Sequence, residues 1–133
     1  MPVSRLEDLP SATSRGWPTA EGGFRAVHWG DMEVCYTTFE HTPMDCTELY
    51  KAGGAPGGVC PCPHYFYMFE GRIRCTWPNT DRPDEVVSAG EVCFFSTGHV
   101  LIYEEPCKVL EINPAAALLD CMESMERAQS GGS

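Results

Sequence analysis

The chain has 133 residues, 43% of them hydrophobic and 11% aromatic, with 13 glycines, 11 prolines and a formal net charge of −10. That length suits one domain, and the density of glycine and proline predicts many turns and few long helices. The negative balance speaks against nucleic acid and anionic membranes as partners and favours a neutral or cationic small molecule.

Residues 1–23 are polar and interrupted by Pro10, Gly16, Pro18, Gly22 and Gly23, which predicts an N-terminal arm outside the core. The first residues have no apolar leader, and no apolar run reaches the roughly 18 residues of a membrane span, so a cytoplasmic protein is expected. From Phe24 the texture turns to short β-rich runs. Phe24 to Trp29 and Met32 to Phe39, joined by Gly30-Asp31, read as a hairpin. Lys51 to Gly58 is a glycine- and proline-rich loop. His64 to Phe69 leads through Glu70-Gly71 into Arg72 to Trp77, and the runs at 85–87, 92–95, 100–103 and 108–112 complete a series of about eight short strands.

Strands this short, without intervening helices, belong to a sandwich or closed barrel. One helix is expected, over 114–128: Asn113 is suited to capping it, Pro114 to its first position, and Leu118, Leu119, Met122 and Met125 form one face. Residues 129–133 read as a flexible tail, leaving 24–113 for the barrel.

The stretch Cys60-Pro61-Cys62-Pro63-His64 followed by Met68-Phe69-Glu70-Gly71, and then Gly90 to His99, resembles in order the two sequence motifs of the cupins. More narrowly it is similar to small bacterial single-domain members with a Cys-x-Cys-Pro-His segment. The resemblance implies an all-β cupin double-stranded β-helix, or jelly-roll barrel, with a C-terminal helix, and a homodimer formed through the outer sheet and the arm. It also implies a metal inside the barrel on three histidines and a glutamate. Aligned on the Glu70-Gly71 corner, those ligand positions fall on Gly58, Cys60, His64 and Leu101, so the usual set is absent. A rival alignment of Cys62-x-His64 with the family's His-x-His leaves no acid where the motif has one.

A different ligand set survives. Cys60, Cys62 and His64 share a parity and in an extended chain face one side; His99 would approach from an opposite strand. Thiolate and imidazole suit zinc first, then iron or copper, among divalent transition metals. Residues 60 and 64 of a straight strand stand roughly 13 Å apart at about 3.3 Å per residue, so a shared ion requires a bend, which Pro61 and Pro63 favour. Two other readings stay open: buried thiols and a histidine that merely line the core, or a strained Cys60–Cys62 disulfide. His99 by itself also reads as a turn histidine satisfied by backbone.

Tyr36, Phe66, Met68, Phe94, Leu101 and Tyr103 are expected to line the interior. Glu48 and Glu33 are the acids open to a general-base role, with Glu48 counted toward the pocket, while His28 and His41 read as structural or solvent-facing. Two functions follow. A metal-dependent enzyme would act on a small organic molecule through a Cys/His-held ion; a metal-free module would bind or sense a small ligand without transforming it.

Overall fold

The computed structural model describes residues 2–12 and 23–130, apart from the side chains of Met125, Gln129 and Ser130. The expected arm at 13–22, the tail at 131–133 and the place of Met125 on the helix face lie outside the described residues. In chain order the strands are β1 (Phe24–Trp29), β2 (Met32–Phe39), β3 (Met44–Asp45), β4 (His64–Glu70), β5 (Arg72–Thr76), β6 (Glu85–Ser88), β7 (Val92–Phe95), β8 (Val100–Tyr103) and β9 (Cys107–Pro114); the helices are α1 (Thr47–Ala52) and α2 (Ala115–Ser130).

The strands form two antiparallel sheets, ordered β1-β2-β9-β4-β7 and β3-β8-β5-β6. Strands distant in sequence are neighbours, as in a jelly roll: β9 lies between β2 and β4, and β8 between β3 and β5. Alternation decides which side chains enter. On β4, His64, Phe66 and Met68 are buried while Tyr65, Tyr67 and Phe69 face out; on β9, Cys107, Val109, Glu111 and Asn113 point in. Phe39 stacks on Tyr103 with centroids 4.0 Å apart, in the core that also holds Met68, Ile73, Leu101 and Val109. Each such large side chain contributes about 1.5–3 kcal/mol when withdrawn from water.

The β4–β5 corner is tight. The β4–β9 register shifts between Met68 and Glu70, and Gly71 follows at φ 93°, where a Cβ would overlap the carbonyl of Pro106 and stand 2.7 Å from Cys107 Sγ. Only glycine fits that approach.

The helical expectations need correction. Asn113 does not cap α2, and Pro114 does not start it: both belong to β9, which runs on in register with β2 (Glu33 opposite Asn113), so the helix begins at Ala115. A short helix, α1, precedes the glycine-rich loop, although no amphipathic period announces so brief an element. The N-terminal region is not wholly apart from the core. Leu9 is buried, Ser11 bridges to Arg25, and the amides of Ala12 and Ala26 bond to the carbonyls of Phe24 and Pro10, which adds a short segment beside β1.

Helix α2 packs on α1, β9 and β2 and buries Leu118, Cys121 and Met122. It meets α1 where Gly53 has no side chain: a Cβ there would overlap the carbonyl of Ser124, and Arg127 Nε donates to Gly53 O at 2.8 Å. No helix among the described residues is long and apolar enough to cross a membrane.

Candidate metal centre

The two proline-flanked residues ahead of β4 leave the ladder. Cys60 forms an isolated antiparallel bridge with His99: its N–H donates to His99 O at 2.8 Å and its carbonyl accepts from Gly98 N at 3.0 Å. The chain then bends at Cys62 and enters β4 at His64. The bend folds the imidazole back, so that Cys60 Sγ and His64 Nε2 stand 3.5 Å apart. Cys60, His64 and His99 thus meet from three places, the loop before β4, the start of β4 and the turn before β8, with ligand atoms all within 4.8 Å of one another. All three are buried, at 0%, 4% and 0% exposure.

Each imidazole is held in one orientation. His64 Nδ1–H donates to Asn113 Oδ1 at 2.7 Å, and Asn113 Nδ2 donates in turn to Glu111 Oε2 at 3.4 Å. His99 Nδ1–H donates to the carbonyl of Ser96 at 2.7 Å. A carbonyl only accepts, so that contact fixes the proton on Nδ1 and leaves the Nε2 lone pair of His99 bare. His99 Nε2 is buried and has no hydrogen-bond partner among the described residues. Metal-binding histidines are ordinarily arranged in this way, with the far nitrogen tied to a carbonyl or amide and the near one aimed at the ion.

Cys60 differs from every other cysteine in its electrostatics. Burial raises its thiol, but hydrogen bonds from Cys121 and His64 and the charge of His64 outweigh it, holding Cys60 well below the ordinary thiol range. Burial likewise opposes the charge on His64, yet the sulfurs of Cys60 and Cys62 hold its proton well above the usual imidazole range. The remaining thiols are pushed up, chiefly by burial at Cys35, Cys46, Cys62, Cys75, Cys93 and Cys107, and chiefly by the hydrogen bond to Cys60 at Cys121. The metal ligand is the thiolate, which Cys60 alone among these cysteines favours before any ion is bound; an ion deprotonates a neighbouring thiol that coordinates it. Phe66 stacks on His64 at 5.2 Å, and Trp77 and Phe95 lie 6.0 and 6.1 Å from His99, which keeps the surroundings apolar.

The residue types and spacing suit a tetrahedral transition metal. With Zn–S of about 2.3 Å and Zn–N of about 2.0–2.1 Å, the sulfur–nitrogen edge of a tetrahedron is about 3.5 Å, and Cys60 to His64 is 3.5 Å. Such an ion would supply Lewis acidity and a means of activating bound water.

Of the residues singled out from sequence, Cys60, His64 and His99 come together. Cys62 reaches the proton of His64 but stays outside the group within 4.8 Å, and its own thiol donates to the carbonyl of Pro63 at 3.3 Å; none of the eight cysteines forms a disulfide, Cys60 and Cys62 included. Phe66, Met68, Leu101 and Tyr103 face the interior. Tyr36, Phe94 and Glu48 do not. Phe94 is 53% exposed because it pairs with outward-facing Tyr65, so the inward residue of β7 is its neighbour Phe95. Tyr36 sits between buried Cys35 and Thr37 and packs edge-on to Phe69 on the outer face. Glu48 lies in the first turn of α1 and reaches solvent beside Lys51. Glu33 contacts exposed His28 at 3.5 Å, away from the centre.

Sequence reasoning missed Glu111, Asn113 and Cys121. The first two carry a legible signal, since Cys107, Val109, Glu111 and Asn113 alternate along one strand and only the last two interrupt an apolar inner face. Cys121 carries none, because its position depends on where α2 docks.

The sequence matches no family model and no curated protein. Solved structures are similar in fold: BH2720 of Bacillus halodurans at 17% identity over 84% of this chain and 78% of that one, TM-score 0.51. A cupin-2 domain containing protein from Shewanella frigidimarina is similar at 17% identity over 68% and 78%, TM-score 0.44. The EutQ protein of Clostridium difficile is similar at 11% identity over 68% of this chain, which spans 60% of that one, TM-score 0.47. With both sequence motifs seated at the β4–β5 and β7–β8 turns and two antiparallel sheets in jelly-roll order, the chain has the fold of a small cupin with a C-terminal helix.

Proposed function

We propose that this domain holds a divalent transition metal, zinc before iron or copper, on Cys60, His64 and His99, and uses it on a small organic molecule inside the cell. The observation that carries the reading is the bare, buried Nε2 of His99 aimed with His64 Nε2 at a thiolate-forming cysteine. The acidic chain favours a neutral or cationic substrate. Metal analysis of protein purified without added ions tests it: near-stoichiometric zinc, iron or copper, lost in Cys60→Ala and His64→Ala, is expected, and metal-free protein under reducing conditions would overturn it.

A metal-free ligand-binding role is the second reading, and one observation favours it. An apolar groove of about 510 Å³ runs over the outer face of β4, β7 and β9, lined by Tyr65, Tyr67, Val92, Phe94 and Ile112 among others, none of them charged. Calorimetry with small aromatic compounds, comparing Phe94→Ser, tests it: heat of binding in metal-free protein, lost in the variant, supports a ligand site there. The homodimer implied by the cupin resemblance would cover the same face, and sedimentation of the same variant checks it, with conversion to monomer expected.

A further inference from the structure

We propose that Cys121 of α2 is the fourth ligand of this centre, so that the C-terminal helix closes the coordination sphere and the ion fastens the helix to the barrel. The inference rests on the metal reading given above for Cys60, His64 and His99.

Cys121 Sγ lies 3.6 Å from Cys60 Sγ, although 61 residues separate them. Two zinc-bound sulfurs at about 2.3 Å each stand about 3.8 Å apart in a tetrahedron, so the sulfur pair already has the spacing of shared ligands. Cys121 is 2% exposed and, among the described residues of α2, is buried along with Leu118, Met122 and Ser124. It stands on the cysteine side of the three-atom cluster, outside the mutual 4.8 Å, so coordination would draw its sulfur and α2 inward.

The helix is built to present this residue. Gly53 lets the backbone of α2 approach α1 at Ser124, and Arg127 ties the next turn to the carbonyl of Gly53. Both contacts follow Cys121 along the helix, at Ser124 and Arg127, and hold its C-terminal half against α1. A Cys₂His₂ set is a closed, structural type of zinc sphere, whereas three protein ligands leave a position open to water or substrate. The centre therefore has two states. With Cys121 bound, the ion stabilises the fold and is inert; with Cys121 released, the same ion gains an open position, and the helix decides which holds.

Cobalt substitution of the full chain, stripped of metal and kept under a non-thiol reductant, tests this. Thiolate-to-cobalt absorption counts sulfur ligands, so Cys121→Ser should bind one cobalt with about half the wild-type charge-transfer intensity and a clearly weaker affinity in competition with a chelator. Zinc should slow amide hydrogen exchange across α2 in the wild type and leave it unchanged in Cys121→Ser, whose folding is verified by circular dichroism. Wild-type absorption and affinity in Cys121→Ser, with Cys60→Ser and His64→Ala both impaired, would overturn the fourth-ligand assignment and leave the three-ligand centre standing. Absence of cobalt binding in the wild type would overturn both. A Cys60–Cys121 disulfide that persists in the reductant, seen by mass spectrometry, would also overturn it.

Discussion

Asn113 accepts the Nδ1–H of His64 at 2.7 Å across a sequence separation of 49 residues, and it holds that imidazole with Nε2 toward Cys60. Asn113 is a positioning residue, touching no ligand atom of the proposed ion. Replacing it by Ala frees the ring to rotate and removes the partner that fixes its tautomer. Zinc affinity should fall by about 10–100-fold, the usual cost of losing such support. Asn113→Asp keeps the acceptor but sets a second carboxyl against Glu111, so it should recover affinity only in part alone and most of it together with Glu111→Gln. Chelator competition gives the numbers, and equal affinity in Asn113→Ala and the wild type would show that the contact does not orient the ring.

Cys62 sits two residues from each of two proposed ligands and touches His64, yet its sulfur lies outside the three-residue group and its thiol donates to the carbonyl of Pro63. Cys62→Ala should keep its metal at the wild-type stoichiometry, while Cys60→Ala loses it. Elemental analysis of the two variants side by side reads the difference, and parallel losses would place both sulfurs on the ion.

Glu111 is buried, and burial pushes its carboxyl above the ordinary range; the charge of His64 and the hydrogen bond from Asn113 offset only part of that. With the folded value raised, the native state holds a proton that the unfolded chain has already released, so this group lowers stability as pH climbs from the ordinary carboxylate value toward the raised one. Above that window the full cost is present. Glu111→Gln should therefore stabilise the metal-free protein at neutral pH, by roughly 1–3 kcal/mol as for other buried charged groups, with the gain vanishing in acid where both side chains are neutral. Urea melts across the pH range check it; a variant less stable than wild type at neutral pH would mean the ionised carboxylate is compensated.

Gly71 and Gly90 both adopt positive φ, 93° and 85°, but only Gly71 is crowded: a Cβ at Gly90 meets nothing within 4 Å. Gly90→Ala should cost about 1–2 kcal/mol for the left-handed backbone alone. Gly71→Ala adds overlap with the β8–β9 turn, about 1–3 kcal/mol more. The difference between the two melts isolates the contact, and equal losses would show that the corner relaxes around a methyl group.

Much of the barrel was readable because its code is local. Alternating β4 and β9, the turn glycines and the Glu70-Gly71 corner each dictate backbone geometry within a few residues. The bend between Cys60 and His64 was legible for the same reason, since Pro61 and Pro63 cannot continue a ladder. Where parity failed, it failed by one residue: Phe94 for Phe95 exchanges the inner and outer faces, because nothing within β7, exposed Val92 aside, says which face of a short aromatic strand meets the core.

What the amino-acid order determined by itself is therefore the sheet-forming texture, the corner and a Cys/His segment able to bend. Only the tertiary structure decided that His99 bridges to Cys60, that Asn113 and Glu111 stand behind His64, and that α2 brings Cys121 to the same sulfur. The bridge, the imidazole contact and the sulfur pair join residues 39, 49 and 61 positions apart, and their geometry is set by sheet register and helix docking, which depend on the summed packing of the whole core and leave no mark in any short stretch of sequence.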